Sequence, residues 1–128
     1  MVLFTWDPDA EGFWLVDDYF PEITEIDRRS CPTLDQLREV LGAIAVFRVP
    51  IPHDCTDGFC GAYWRRPEVY LDAGARSAIS IFSKLTNVPA RLERLRDDLA
   101  SGAWRRRHAA LLSRDEVDLG YRLVVASA

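Results

Sequence analysis

The sequence has little of what holds extracellular chains together or marks a metal site: three cysteines, two histidines and one methionine in 128 residues. Cys31, Cys55 and Cys60 are odd in number and have no framework-like spacing, which suits free thiols in a reducing compartment and a cytoplasmic chain. His53, Cys55 and Cys60 come nearest to a ligand set. No paired CxxC or HxxxH supports them, so no metal is expected. Excess positive charge is also missing: the net charge is −4, which gives no broad attraction to phosphate backbones and argues against nucleic acid as a partner. The one basic cluster, Arg105-Arg106-Arg107, stands near Asp97, Asp98 and Asp115 and reads as a solvated helix face. Every apolar run falls short of the ~20 residues a membrane span needs, and no basic segment followed by an apolar one opens the chain. Neither a membrane partner nor a leader is expected.

What is present supports one packed domain. Hydrophobic residues make up 48% of the chain, enough for a core at this length. Val2-Leu3-Phe4-Thr5-Trp6 reads as a short strand stopped by Asp7-Pro8-Asp9. Phe13, Trp14, Val16 and Phe20 recur at near-helical spacing, and Pro21 opens a second helical stretch through Ile23, Ile26 and Arg29. Thr33-Leu34-Asp35-Gln36 has the form of a capping box, which predicts a helix through Leu37, Val40 and Leu41 that stops at Gly42. Residues 43–49 predict a strand, which Pro50 and Pro52 end by denying ladder hydrogen bonds. Beyond it come short helical pieces over 58–64 and 67–71. A longer helix capped by Asp72 and carrying Ala78, Ile79, Ile81, Phe82 and Leu85 follows. Asn87 and Pro89 open another through Leu92, Leu95 and Leu99, and a last helix covers 104–112. Residues 119–126 predict a closing strand. Three strands among this many helices imply an α/β layered domain over 1–128 with a thin sheet and a helical insertion at about 53–116.

Chemistry-bearing side chains concentrate just after the second strand. His53, Asp54, Cys55 and Asp57 stand together, followed by Phe59, Tyr63, Trp64, Arg65 and Tyr70, and ordering so many bulky and ionisable groups costs entropy that packing or a ligand must offset. His53 is the candidate general acid or base, with Asp54 or Asp57 fixing its tautomer, and Cys55 is a candidate nucleophile if His53 lowers its pKa. In extended backbone His53 and Cys55 share a face; in a turn they diverge. The alternative is a histidine satisfied by a backbone carbonyl. Trp6, Phe13, Trp14, Phe59, Tyr63, Trp64 and Tyr70 are candidates to line a pocket for an apolar or aromatic small molecule, with Arg65 or Arg66 meeting a carboxylate. The competing assignment for these aromatics is core.

Taken together, these segments resemble the C-terminal half of a class I S-adenosylmethionine-dependent methyltransferase of the bacterial, small-molecule type. The first strand and its exit, Val2 to Pro8, resemble that family's fifth strand. Residues 33–49 resemble its next helix and sixth strand, and residues 119–126 its seventh. His53-Asp54-Cys55-Thr56-Asp57-Gly58-Phe59 and Tyr63-Trp64-Arg65-Arg66-Pro67-Glu68 resemble a substrate-side insertion of one subgroup. The resemblance implies a partial Rossmann-like fold with a three-stranded mixed sheet, its last strand in the middle. The family holds its cofactor with a glycine-rich turn after the first strand and an acidic residue ending the second. Here the seven glycines are scattered, no GxGxG follows a strand, and no cofactor site is expected in this chain alone.

The strand resembling the fifth would then lack its neighbour, and an apolar edge with unpaired backbone groups is a template for another chain. The expected partner is a second copy across this edge, or a separate cofactor-binding chain that supplies the S-adenosylmethionine site. The resemblance implies a methyltransferase-like protein without its own S-adenosylmethionine site that binds or acts on a small metabolite as a dimer; the alternatives are half of a split methyltransferase that needs a partner chain, a cofactor-free enzyme using His53, and an idle relic.

Overall fold

The computed structural model describes residues 1–127. Its sheet is built around the closing strand β5 (Tyr121–Ala126), which lies between β1 (Val2–Trp6) and β2 (Ile44–Arg48). β5 runs antiparallel to both, with Phe4 and Phe47 each opposite Leu123, and Val2 and Ala45 each opposite Val125. The sheet is therefore antiparallel throughout and not mixed, because β1 and β2, which point the same way, never touch. The β-branched and apolar residues of β5 suit this central position.

Strand alternation sorts the sheet side chains onto two faces. Val124 and Ala126 lie on the covered face and are buried. Helix α2 (Leu34–Leu41) packs against β2 and buries Leu37. The expected capping box starts it: the Gln36 amide donates to Thr33 Oγ1 at 3.1 Å, and the Thr33 amide donates to Gln36 Oε1 at 2.8 Å. Gly42 ends it at φ 79°. The opposite face is covered at its Trp6–Tyr121 end and open beyond it. Val2, Phe4 and Phe47 on it are 65%, 54% and 54% exposed.

Between β1 and α2 the chain makes a one-turn helix at Leu15–Tyr19 and then α1 (Glu22–Ser30). The insertion leaves and rejoins the sheet domain through a two-residue ladder, β3 (Ile51–Pro52) against β4 (Glu116–Val117). Pro52 thus lies inside a short ladder and does not end pairing, which a proline tolerates at so brief an edge. Within the insertion, one-turn helices at Cys60–Tyr63 and Pro67–Leu71 precede α3 (Ala73–Ser77). The single helix expected after Asp72 is broken, with a further turn at Ser80–Lys84. Serine hydroxyls compete with the helical ladder there: Ser77 Oγ donates to the Gly74 carbonyl and Ser83 Oγ to the Ser80 carbonyl. Helix α4 (Val88–Ser101) then leads through Gly102, at φ 82°, into α5 (Ala103–Arg107) and a turn at Ala109–Ser113.

Aromatic residues build the core of this helical layer. Trp14 makes edge-on contacts with Phe13, Tyr19, Tyr70 and Trp104. Its indole N–H donates to the Trp64 carbonyl at 2.8 Å, and that of Trp64 donates to the Ile51 carbonyl at 3.0 Å. These bonds tie the segment after β1 to the insertion and the insertion to its neck. Among the described residues, no helix is long and apolar enough to cross a membrane.

Candidate functional site

A pocket forms where β1 ends. Trp6, the last residue of β1, meets Phe13 and Val16 from the following turn, Ile23, Asp27 and Cys31 from α1 and its end, Cys60 from the insertion, and Tyr121 from β5, around about 120 Å³. A second chamber of about 230 Å³ shares Ile23, Asp27 and Cys60 as a common wall and continues past Phe59 to residues 78–81. Spacing of four brings Ile23, Asp27 and Cys31 onto one side of α1.

The aromatic walls are fixed by backbone contacts. Trp6 Nε1 donates to the Leu119 carbonyl at 2.8 Å. Gly120 permits this approach: it sits at φ 103°, and a Cβ there would lie 2.7 Å from Trp6 Nε1. Tyr121 Oη accepts from the Gly61 amide at 3.0 Å, and its ring packs edge-on against Phe59 with centroids 5.1 Å apart. A Cβ on Gly61 would stand 2.7 Å from the Tyr121 ring. Both small residues are therefore needed for the ring to lie where it does.

Asp27 is the ionisable group in this apolar surrounding. Its carboxylate has no hydrogen-bond donor and no ion-pair partner among the described residues. Burial raises its pKa, and the Lys84 charge opposes that only in part. Burial also pushes the Cys60 thiol up to about 12, with the Asp27 charge adding to it, and raises Cys31 and Tyr121. The pocket thus combines protonated thiols, aromatic rings and one carboxylate that has no hydrogen-bond donor among the described residues. Burial that keeps the thiols protonated works against a nucleophilic role for them, and the apolar walls with one carboxylate have the make-up of a small-molecule cradle.

The residues singled out from the sequence divide. Trp6, Phe13 and Phe59 line the pocket. Trp14, Trp64 and Tyr70 are buried in the core, at 2%, 0% and 0% exposure, and Tyr63 packs beside Tyr70. Arg65 lines a separate, open concavity of about 420 Å³ with Glu68, Trp104 and Arg105, and donates to the Arg114 carbonyl. That concavity is the larger one, but a site with apolar walls and a few convergent polar groups is the better ligand cradle. His53, Asp54, Cys55 and Asp57 line none of these cavities. The His53 amide donates to the Asp115 carbonyl beside the neck, and Arg66 donates to the Cys55 carbonyl at 2.8 Å, so this stretch forms the bend into the insertion. Asp27, Cys31, Cys60 and Tyr121 escape sequence reading as a site. The only signal was the spacing of Ile23, Asp27 and Cys31, which looks like any amphipathic helix.

No family model and no curated protein matches the chain. A solved structure from Anabaena variabilis, described as a putative methyltransferase from an antibiotic biosynthesis pathway, superposes with a TM-score of 0.88 at 36% sequence identity. The match covers 99% of this chain and 54% of that one, so the chain spans about half the length of the protein it resembles. By fold and sequence together, this chain is methyltransferase-like.

Proposed function

We propose that the chain recognises the methyl acceptor of a methyltransferase-type reaction, and that the donor is held by residues outside it. The observation that carries this reading is the pocket itself, which opens at the carboxyl end of β1, where α/β folds place their ligands. The residues at hand do not fit S-adenosylmethionine. The turn after β1 is Asp7-Pro8-Asp9-Ala10, closed by the Ala10 amide on the Asp7 carbonyl, and it has no glycine-rich approach to a helix start. Of the glycines with positive φ, Gly42 and Gly120 precede strands, Gly102 joins two helices and Gly12 follows β1 only after that turn. No chemical step is therefore assigned to the donor here.

The edge of β1 offers the place for the missing portion. Its outer side pairs with nothing among the described residues, and the pocket residues Trp6 and Tyr121 share a sheet face with the exposed Val2 and Phe4. A partner strand on that edge would bring its own binding turn beside the pocket. The edge suits a cofactor-binding portion or a second copy of this chain.

Calorimetric titration with S-adenosylmethionine tests the proposal. The isolated chain is expected to give no binding heat, and a mixture with the remaining portion of the Anabaena protein, expressed separately, is expected to bind. Saturable binding by the chain alone would overturn the division of labour.

A further inference from the structure

We propose that the molecule this pocket takes is a small cationic amine, its ammonium seated against Asp27 and its carbon skeleton among Trp6, Phe13, Phe59 and Tyr121. The inference rests on the pocket being an acceptor site and names the chemical class of the acceptor.

Most polar groups of the wall are already engaged or neutral. Trp6 Nε1 is engaged by the Leu119 carbonyl and Tyr121 Oη by the Gly61 amide. The Cys60 thiol is held neutral by burial. Asp27 alone presents charge without a partner among the described residues, flanked by residues of both chambers. A half-buried carboxylate lacking donors is costly to the free protein, and the cost is relieved by a ligand that brings a positive charge or several N–H donors. Lys84 lowers this cost only in part: its charge is felt at Asp27, but its side chain is exposed and forms no ion pair with the carboxylate.

The aromatic residues point the same way. Four of them share the wall with the carboxylate, and ring faces attract ammonium groups by their quadrupoles. A carboxylate ligand would be repelled by Asp27, and a neutral alcohol would gain one hydrogen bond without the charge. The chambers of about 120 and 230 Å³ reach even together only the lower end of the ~300–1,000 Å³ of drug-sized sites, so the occupant is small.

The test uses three probes of one shape, phenethylamine, 2-phenylethanol and phenylacetate, titrated into the full chain while amide and indole resonances are followed. Phenethylamine is expected to bind about tenfold or more tighter than the alcohol, with phenylacetate weakest, and to shift the Trp6 indole and Tyr121 signals. Asp27→Asn, and Asp27→Ser as a second neutral replacement, are expected to erase the preference for the amine while alcohol binding stays within about twofold. Equal or tighter binding of the alcohol, with the same resonances shifting, would overturn the amine assignment and leave the pocket standing. Binding of no probe, or shifts confined to other residues, would overturn both.

Discussion

At Asp27 the folded chain keeps a carboxylate half out of water with no donor to compensate, and this has a signature that needs no ligand. Its pKa is raised in the folded state, so between the unfolded value and the raised one the native protein binds more protons than the unfolded chain. Stability from this group is therefore present at low pH and lost as pH rises through that window. Asp27→Asn is expected to melt above the parent at pH 7, the gap closing below about pH 4, where both states of the acid are protonated. Thermal melts across this range check it. A lower melting temperature for the variant at pH 7 would mean that the carboxylate is already satisfied. The same residue marks a limit of sequence reading. In sequence it is one acid on a helix face, and only the packing of α1 against Trp6 and Cys60 makes it a pocket wall. The converse holds at His53 to Asp57, where a dense run of reactive side chains lies on a bend held by backbone bonds, outside the cavities.

Among the elements, those with strong local signals were legible. The box from Thr33 to Gln36 and the stop at Gly42 specify α2 through short-range hydrogen bonds, which sequence spacing encodes directly. Thr33→Ala is expected to cost about 1 kcal/mol by denaturant unfolding, because the Gln36 amide at the helix start loses its acceptor. No measurable change would indicate that tertiary packing alone holds the helix. Elements whose form depends on distant partners were not legible. The helix expected after Asp72 breaks where serines bond their own carbonyls, and the β3–β4 ladder joins segments more than sixty residues apart through Ile51 and Val117. The aromatics were ambiguous for a related reason. Trp14 and Trp64 become core because each indole N–H reaches a buried carbonyl, an outcome set by tertiary geometry, whereas Trp6 borders a cavity.

For the whole molecule, the consequential feature is the unpaired flank of β1 with its open apolar face. If two copies pair across this edge, light scattering should give a mass near twice 14.6 kDa for the parent chain. Phe4→Glu, at a side chain 54% exposed, should return it to the single-chain mass; because Phe4 also stacks on Tyr121, circular dichroism checks that the variant stays folded. A single-chain mass for the parent would eliminate the homodimer.

The narrow neck at Ile51–Pro52 and Glu116–Val117 has an engineering meaning of its own. Everything from His53 to Asp115 enters and leaves the sheet domain at one doorway, and it supplies Phe59, Cys60 and residues 78–81 to the cavity, while Trp6, Phe13, Asp27 and Tyr121 belong to the frame. A graft at that doorway would exchange one half of the cavity lining while keeping Asp27, provided the incoming segment rebuilds the packing on Trp14 and the amide that meets Tyr121 Oη.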